Sequence, residues 1–213
     1  MHGAKRGVFI SFEGVEGSGK TTQAKALAEW LENRKIPHIF IRDPGCTHVG
    51  EKIREILLSR EFRNMHARCE VLLFLAARSQ LTYEKILPAL AEKKVVVTDR
   101  FSDSTFAYQG YARDLPRRLI AIFNRFAAAG IKPDLTFLVD IDTSMRMERG
   151  KFKDRMETEA EAYHQKVHKA YGILAAKAKK RFRVLDGKKA VDAIHEEVVA
   201  AVKALLKRKG YKL

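Results

Sequence analysis

Along the chain, short β-rich apolar runs alternate with longer stretches of helical period. The runs Gly7 to Phe12, His38 to Ile41, Val95 to Thr98, Leu135 to Val139 and Phe182 to Leu185 predict five strands. Between them, Ala24, Leu27, Ala28 and Leu31 recur at i, i+3, i+4 and i+7, the buried stripe of a helix. Tyr163, Val167, Ala170, Tyr171 and Leu174 repeat that pattern, and a last helix sets Val191, Ile194, Val198, Ala201, Val202 and Leu205 on one face. This alternation predicts a mostly parallel sheet covered on both faces, a doubly wound α/β fold of five strands. The stretch from His66 to Glu92 reads as one long helix, apolar nearly all round at Val71 to Ala77. Such a segment buries more than one side, either as a central core helix or at a subunit interface.

No repeat, linker or low-complexity tract divides the 213 residues, so one domain spanning 1–213 is expected. No window approaches the roughly 18 apolar residues of a membrane span. Met1 to Gly7 runs straight into the first strand without an apolar targeting segment. The two cysteines, Cys46 and Cys69, form no CxxC pair and read as reduced thiols, which favours the cytoplasm. A net charge of +15 attracts nucleic acid, anionic lipid and phosphorylated small molecules alike, so its sign does not choose among them. The basic clusters at Lys177 to Arg183 and Lys203 to Lys212 have no interleaved aromatics to stack bases and read as solvated helix faces.

The chemistry enters with Gly14-Val15-Glu16-Gly17-Ser18-Gly19-Lys20-Thr21, a match to G-x-x-x-x-G-K-[ST] that follows a strand and opens a helix. Glycines there let backbone N–H groups turn toward phosphates, and the helix N-terminus adds partial positive charge. The fold class is thus a P-loop NTPase type, with Gly14 through Thr22 binding ATP, Lys20 reaching its β- and γ-phosphates and Thr21 binding Mg2+. A P-loop identifies the donor alone, so ATPases, nucleic-acid motors and small-molecule kinases stay open at this point. GTPases would need an N-K-x-D element, which the sequence lacks.

From the loop onward the chain resembles the thymidylate kinases, which phosphorylate dTMP with ATP. The resemblance rests on Phe12-Glu13-Gly14 with the loop, Arg42-Asp43-Pro44-Gly45, Gly50-Glu51-Lys52-Ile53-Arg54, Phe74-Leu75-Ala76-Ala77-Arg78, Asp99-Arg100, Ser104-Thr105, Ala107-Tyr108-Gln109-Gly110 and Lys132-Pro133-Asp134-Leu135. It implies that Phe74 stacks on the thymine ring, Arg78 donates to it, and Thr105 and Gln109 lie at its edge. Phe74 and Arg78, at i and i+4, project from one helix face; without the family they would be read as a core aromatic and a surface charge. Tyr108 fills the place of a ribose 2′-hydroxyl, Glu16 meets the acceptor 3′-hydroxyl, and Arg54 and Arg100 neutralise the acceptor phosphate. Asp43 joins the dTMP site, with Arg42 a weaker candidate and the Asp43–Pro44 bond expected to be cis. Asp99 is the second Mg2+ residue.

In one branch of the family an arginine follows the acid inside the P-loop; here that place is Gly17. The other branch supplies the charge from a lid, and Arg149-Gly150-Lys151-Phe152-Lys153-Asp154-Arg155, inside a lid of about 146–158, has that composition. Arg149 and Arg155 are therefore expected to act with Lys20 and Arg100 on the transferring phosphoryl group, assisted by Lys151 and Lys153. Cys46 stands where the family usually has glycine, and Met156 where a larger apolar residue is more common. The resemblance further implies a homodimer through the long middle helices. The rival readings are another nucleoside monophosphate kinase, a deoxynucleoside kinase, and a nucleic-acid-binding ATPase; no membrane or specific nucleic-acid partner is expected.

Overall fold

A computed structural model describes residues 6–142, 144–146 and 154–211. Five parallel strands, β1 (Val8–Glu13), β2 (His38–Arg42), β3 (Val95–Asp99), β4 (Leu135–Asp140) and β5 (Phe182–Asp186), lie in the order β2-β3-β1-β4-β5. Each of the five expected strands is present. All run one residue past the apolar pattern at the C-terminal end, so that Glu13, Arg42, Asp99, Asp140 and Asp186 are their last residues. Pairing continues there, as in Phe12 with Asp99 and Asp140 with Asp186, because ladder hydrogen bonds need only backbone.

β1 is buried along its whole length, and its alternation sends successive side chains to opposite faces. Val8, Ile10 and Phe12 join Leu27 of α1 (Lys20–Asn33) and Val198 and Val202 of the last helix in one core cluster. Phe9 lies instead in a cluster with Leu81, Ile86 and Phe101, and Glu13, in phase with Phe9, belongs to that second face. There the sheet is covered by α2 (His48–Leu58), α3 (Ala67–Leu81), α4 (Leu87–Ala91), α5 (Ser102–Thr105), α6 (Arg117–Ala127) and α7 (Glu161–Lys177). The last helix is α8 (Val191–Lys209).

The single long helix expected over 66–92 is α3, a π-helical turn at Thr82–Ile86, and α4. Pro88, in the first turn of α4, has no N–H to donate into an α-helical ladder, so the chain cannot pass through it as one regular helix. α3 has two characters: Val71, Leu75 and Ala77 are buried, whereas Leu72 faces outward with 56% of its surface exposed. A second π-helical stretch, Phe106–Ala112, carries Tyr108 and Gln109.

Candidate active site

The P-loop leaves the end of β1 at Glu13 and enters α1 at Lys20. Gly14 has φ +147°, and a Cβ there would stand 2.6 Å from the Val139 carbonyl oxygen, so both conformation and space demand glycine. Gly19, with φ +92°, has free space around it and is required by conformation alone. Lys20 lies under the loop with Nζ 3.4 Å from the Val15 carbonyl. Burial pushes its pKa down, Arg100 adds to this, and Asp99 and Glu16 oppose it. The Thr21 hydroxyl donates to Asp99 Oδ2, while Asp99 Oδ1 and Ser18 Oγ are buried without a hydrogen-bond partner. An unsatisfied carboxylate oxygen beside a hydroxyl is the hard-oxygen donor set that suits Mg2+.

In front of the loop lies a cleft of about 220 Å3. All nine acceptor-side residues expected from the sequence line it: Glu16, Asp43, Arg54, Phe74, Arg78, Arg100, Thr105, Tyr108 and Gln109. They come from five places in the chain. The P-loop supplies Glu16, the end of β2 supplies Asp43, α2 supplies Arg54 and α3 supplies Phe74 and Arg78. The turn after β3 and the helix beyond it contribute the rest. The Asp43–Pro44 bond is cis.

Arg78 is only 1% exposed and is held from every side. Its Nε donates to Asp43 Oδ2 at 2.6 Å, Nη1 to Thr105 Oγ1 at 2.6 Å and to Asn124 Oδ1, and Nη2 to the Phe101 carbonyl at 3.2 Å. Of five N–H donors, one on Nη2 stays uncommitted among these bonds. Burial raises the pKa of Asp43 even against the Arg78 cation, so the pair is strongly desolvated. Arg54 reaches into the cleft with Nη1 bonded to the Pro44 carbonyl at 3.0 Å. Arg42 lines the cleft as well, but its guanidinium pairs with Glu51 at 2.8 Å.

At the other end, Glu16 is ringed by donors. Arg100 Nη2 lies 2.7 Å from its Oε1, and the Tyr108 hydroxyl donates at 2.8 Å. Burial alone would raise the Glu16 pKa, but Arg100, Lys20 and that hydroxyl together outweigh it and hold it at about 2. Behind Glu16, Arg146 approaches to 4.0 Å and His164 to 3.9 Å. Arg146 Nη2 donates to His164 Nε2 at 2.8 Å, which needs that nitrogen unprotonated; burial, then Arg146, pushes the His164 pKa down accordingly.

The lid expectation divides. Arg149, Lys151 and Lys153 lie outside the described residues. Arg155 is described, and it does not line the cleft. Its Nη1 is 2.7 Å from Glu70 Oε2, its Nε donates to the Leu57 carbonyl at 3.0 Å, and its side chain is almost wholly buried. Nη1 and Nε are thus committed to Glu70 and Leu57, whereas Nη2 is buried without a hydrogen-bond partner. Glu70 also accepts from Gln109 Nε2 at 2.9 Å and pairs with Arg113 at 3.1 Å. Sequence reasoning passed over Leu58 and gave no individual role to Ser104, Asp154 and Glu157, which stand inside the quoted motifs or the expected lid and line the cleft, or to Arg146 behind it.

The chain matches the thymidylate kinase family over residues 12–198. It is 46% identical over 205 residues to a thymidylate kinase of Pelotomaculum thermopropionicum, covering 94% of this chain and 95% of that protein. To a thymidylate kinase of Kosmotoga olearia it is 43% identical over 209 residues, covering 97% of this chain and all of that one. The crystal structure of thymidylate kinase from Ehrlichia chaffeensis superposes with a TM-score of 0.77 at 31% identity, covering 93% of this chain and 99% of that one.

Proposed function

Since this chain belongs to the thymidylate kinase family, we propose that it transfers the γ-phosphoryl group of ATP to dTMP, giving dTDP and ADP for dTTP synthesis. The observation that carries this reading is one cleft with a P-loop on its floor and the nine acceptor-side residues on its walls. Thymine lies against Phe74 with its polar edge toward Arg78, Thr105 and Gln109. Tyr108, packed against Glu16, leaves no room for a 2′-hydroxyl and so selects deoxynucleotides. Glu16 accepts from the 3′-hydroxyl, and Arg54 and Arg100 receive the acceptor phosphate.

The attacking atom is a monoester oxygen whose second pKa is about 6, so it needs no general base at neutral pH. Residues act here by aligning two phosphates and surrounding the transferred group with positive charge. Lys20 and Arg100 supply part of that charge. Thr21 and Asp99 would hold Mg2+, which neutralises charge on the triphosphate. The missing P-loop arginine at Gly17 is replaced from the lid, and Arg149 takes that part; Arg155, held by Glu70, anchors the segment behind it.

The chain functions as one domain in the cytoplasm, as a homodimer. Supporting the dimer, α6 presents Leu119, Ile122, Phe123 and Phe126 at i, i+3, i+4 and i+7, with Phe126 81% exposed, next to α3 with its outward Leu72. The activity is tested by ADP release with ATP and Mg2+ against dTMP, dUMP, UMP, AMP, thymidine and single-stranded DNA. Preferred turnover of dTMP is expected. Preferred turnover of UMP, AMP or thymidine, or activation by DNA alone, would overturn the assignment.

A further inference from the structure

Glu13, the last residue of β1, is a carboxylate with no exposed surface and no place in the reaction described above. Its Oε1 accepts from the Phe101 backbone N–H at 2.9 Å. Its Oε2 accepts from Ser104 Oγ at 2.6 Å and from the Tyr171 hydroxyl at 3.0 Å. Those same two hydroxyl oxygens lie 3.2 and 3.1 Å from Arg100 Nη1, which also donates to the Gly14 carbonyl at 3.0 Å.

Proton counting gives this relay a direction. A guanidinium can only donate, so Ser104 and Tyr171 turn lone pairs toward Arg100 and leave their hydrogens for Glu13, in its ionised form, or for each other across 2.9 Å. The guanidinium is thereby held on its Nη1 side, while Glu16 and Tyr108 hold Nη2. Its backbone is fixed as well: Arg100 has φ +71°, a left-handed conformation unusual for a side chain of that size, and its N–H donates to the Phe12 carbonyl at 2.9 Å. Five acceptors and a constrained backbone are more than a surface arginine needs to stay folded.

We propose that Glu13 is a positioning residue for phosphoryl transfer, acting through Ser104 and Tyr171 to hold the Arg100 guanidinium in its working orientation. The inference rests on the reading of Arg100 as the cation that meets the acceptor phosphate. Burial, with the Asp103 carboxylate adding to it, pushes the Glu13 pKa up to about 7, against the bonds from Ser104 and Phe101 and the charge of Arg100. A carboxyl kept in so costly a place is not a filler. Replacing it by glutamine puts an NH2 where an oxygen stood. That NH2 must face either the Phe101 N–H or the two hydroxyls, whose hydrogens would then swing toward Arg100.

The test uses the full chain with ATP, Mg2+ and dTMP, and the variants Glu13→Gln, Tyr171→Phe, Ser104→Ala and Arg100→Ala, each checked for folding by thermal melting. Glu13→Gln is expected to lower kcat about 10- to 100-fold with KM for ATP unchanged, and Tyr171→Phe or Ser104→Ala to lower it less. The decisive readout is the double variant. If Glu13 acts through Arg100, adding Glu13→Gln to Arg100→Ala costs no further turnover. An undiminished second loss in that background would overturn the proposal, as would full activity of a folded Glu13→Gln. Should Glu13→Gln fail to fold, Tyr171→Phe combined with Arg100→Ala gives the same cycle, with the same two outcomes. If Arg100→Ala itself turns over like the parent, it is the role of Arg100 that fails.

Discussion

At the scale of single residues, the site is defined by carboxylates whose environments push them in opposite directions. Glu13 and Glu16 are only three positions apart, yet Glu16 is held at about 2 and Glu13 pushed up to about 7. Burial raises both; Glu16 escapes because Arg100 and Lys20 lie against it. A carboxylate depressed in the folded state contributes stability that is complete above its unfolded pKa, near 4.5, and is lost as pH falls toward 2. Glu16→Gln is therefore expected to lose less stability than the parent between about pH 4.5 and 2. Urea unfolding of both proteins across that range measures the difference; parallel curves would remove the cations from Glu16. Arg78 teaches how far residues are legible. Its pairing with Phe74 was readable from spacing and family. Its bond to Asn124, 46 positions away, was not, because no local pattern marks an amide that turns inward from an otherwise amphipathic helix.

Elements show the same division. β1, β3 and β4 were legible because parallel strands buried on both faces are continuous apolar runs, and the more exposed edge strands β2 and β5 by their short β-rich composition. Their last residues were not, since Glu13, Arg42 and Asp99 are polar and look like the first residues of loops. Those are the positions where the sheet hands its side chains to the site, as ligands of open α/β sheets lie beyond the carboxyl ends of the strands. The lid expectation rested on composition alone, and composition did not separate its two arginines. On the proposed role of Arg149 in the transition state, Arg149→Ala is expected to lower kcat by about 10^3-fold with little change in the melting temperature. Arg155→Ala leaves Glu70 with one fewer cation in a buried position, which costs about 3–5 kcal/mol of stability when a buried pair is broken. Steady-state kinetics and thermal melts on both variants separate the roles; a stable Arg155→Ala with abolished turnover would return Arg155 to the reaction itself.

For the whole molecule, the net charge of +15 was the feature most open to misreading, and its sense is now partly local. Arg54, Arg78 and Arg100 converge on the cleft in front of the P-loop, where the proposed reaction brings two phosphorylated ligands together. The outer surface carries a different message in its apolar stripe. Phe126→Glu places a charge at the most exposed apolar residue of α6, and is expected to convert the proposed dimer into monomer in sedimentation equilibrium, with the fold kept by circular dichroism. A monodisperse dimer in that variant would move the interface elsewhere.

α3 faces two ways, and under the proposed dimer this would tie catalysis to how much of the protein is present. Phe74 and Arg78 form the acceptor wall on one side, while Leu72 stands outward beside the α6 stripe. On the proposed dimer, association through the outer side would steady the inner one, and specific activity is then expected to fall on dilution below the dimer dissociation constant, with KM for dTMP rising before KM for ATP. Assays from nanomolar to micromolar protein would detect it, and a flat profile in a sample shown to dissociate would uncouple the two sides of the helix. A cell making little of this chain would then hold an enzyme that is slack toward its acceptor, and abundance itself would set its grip.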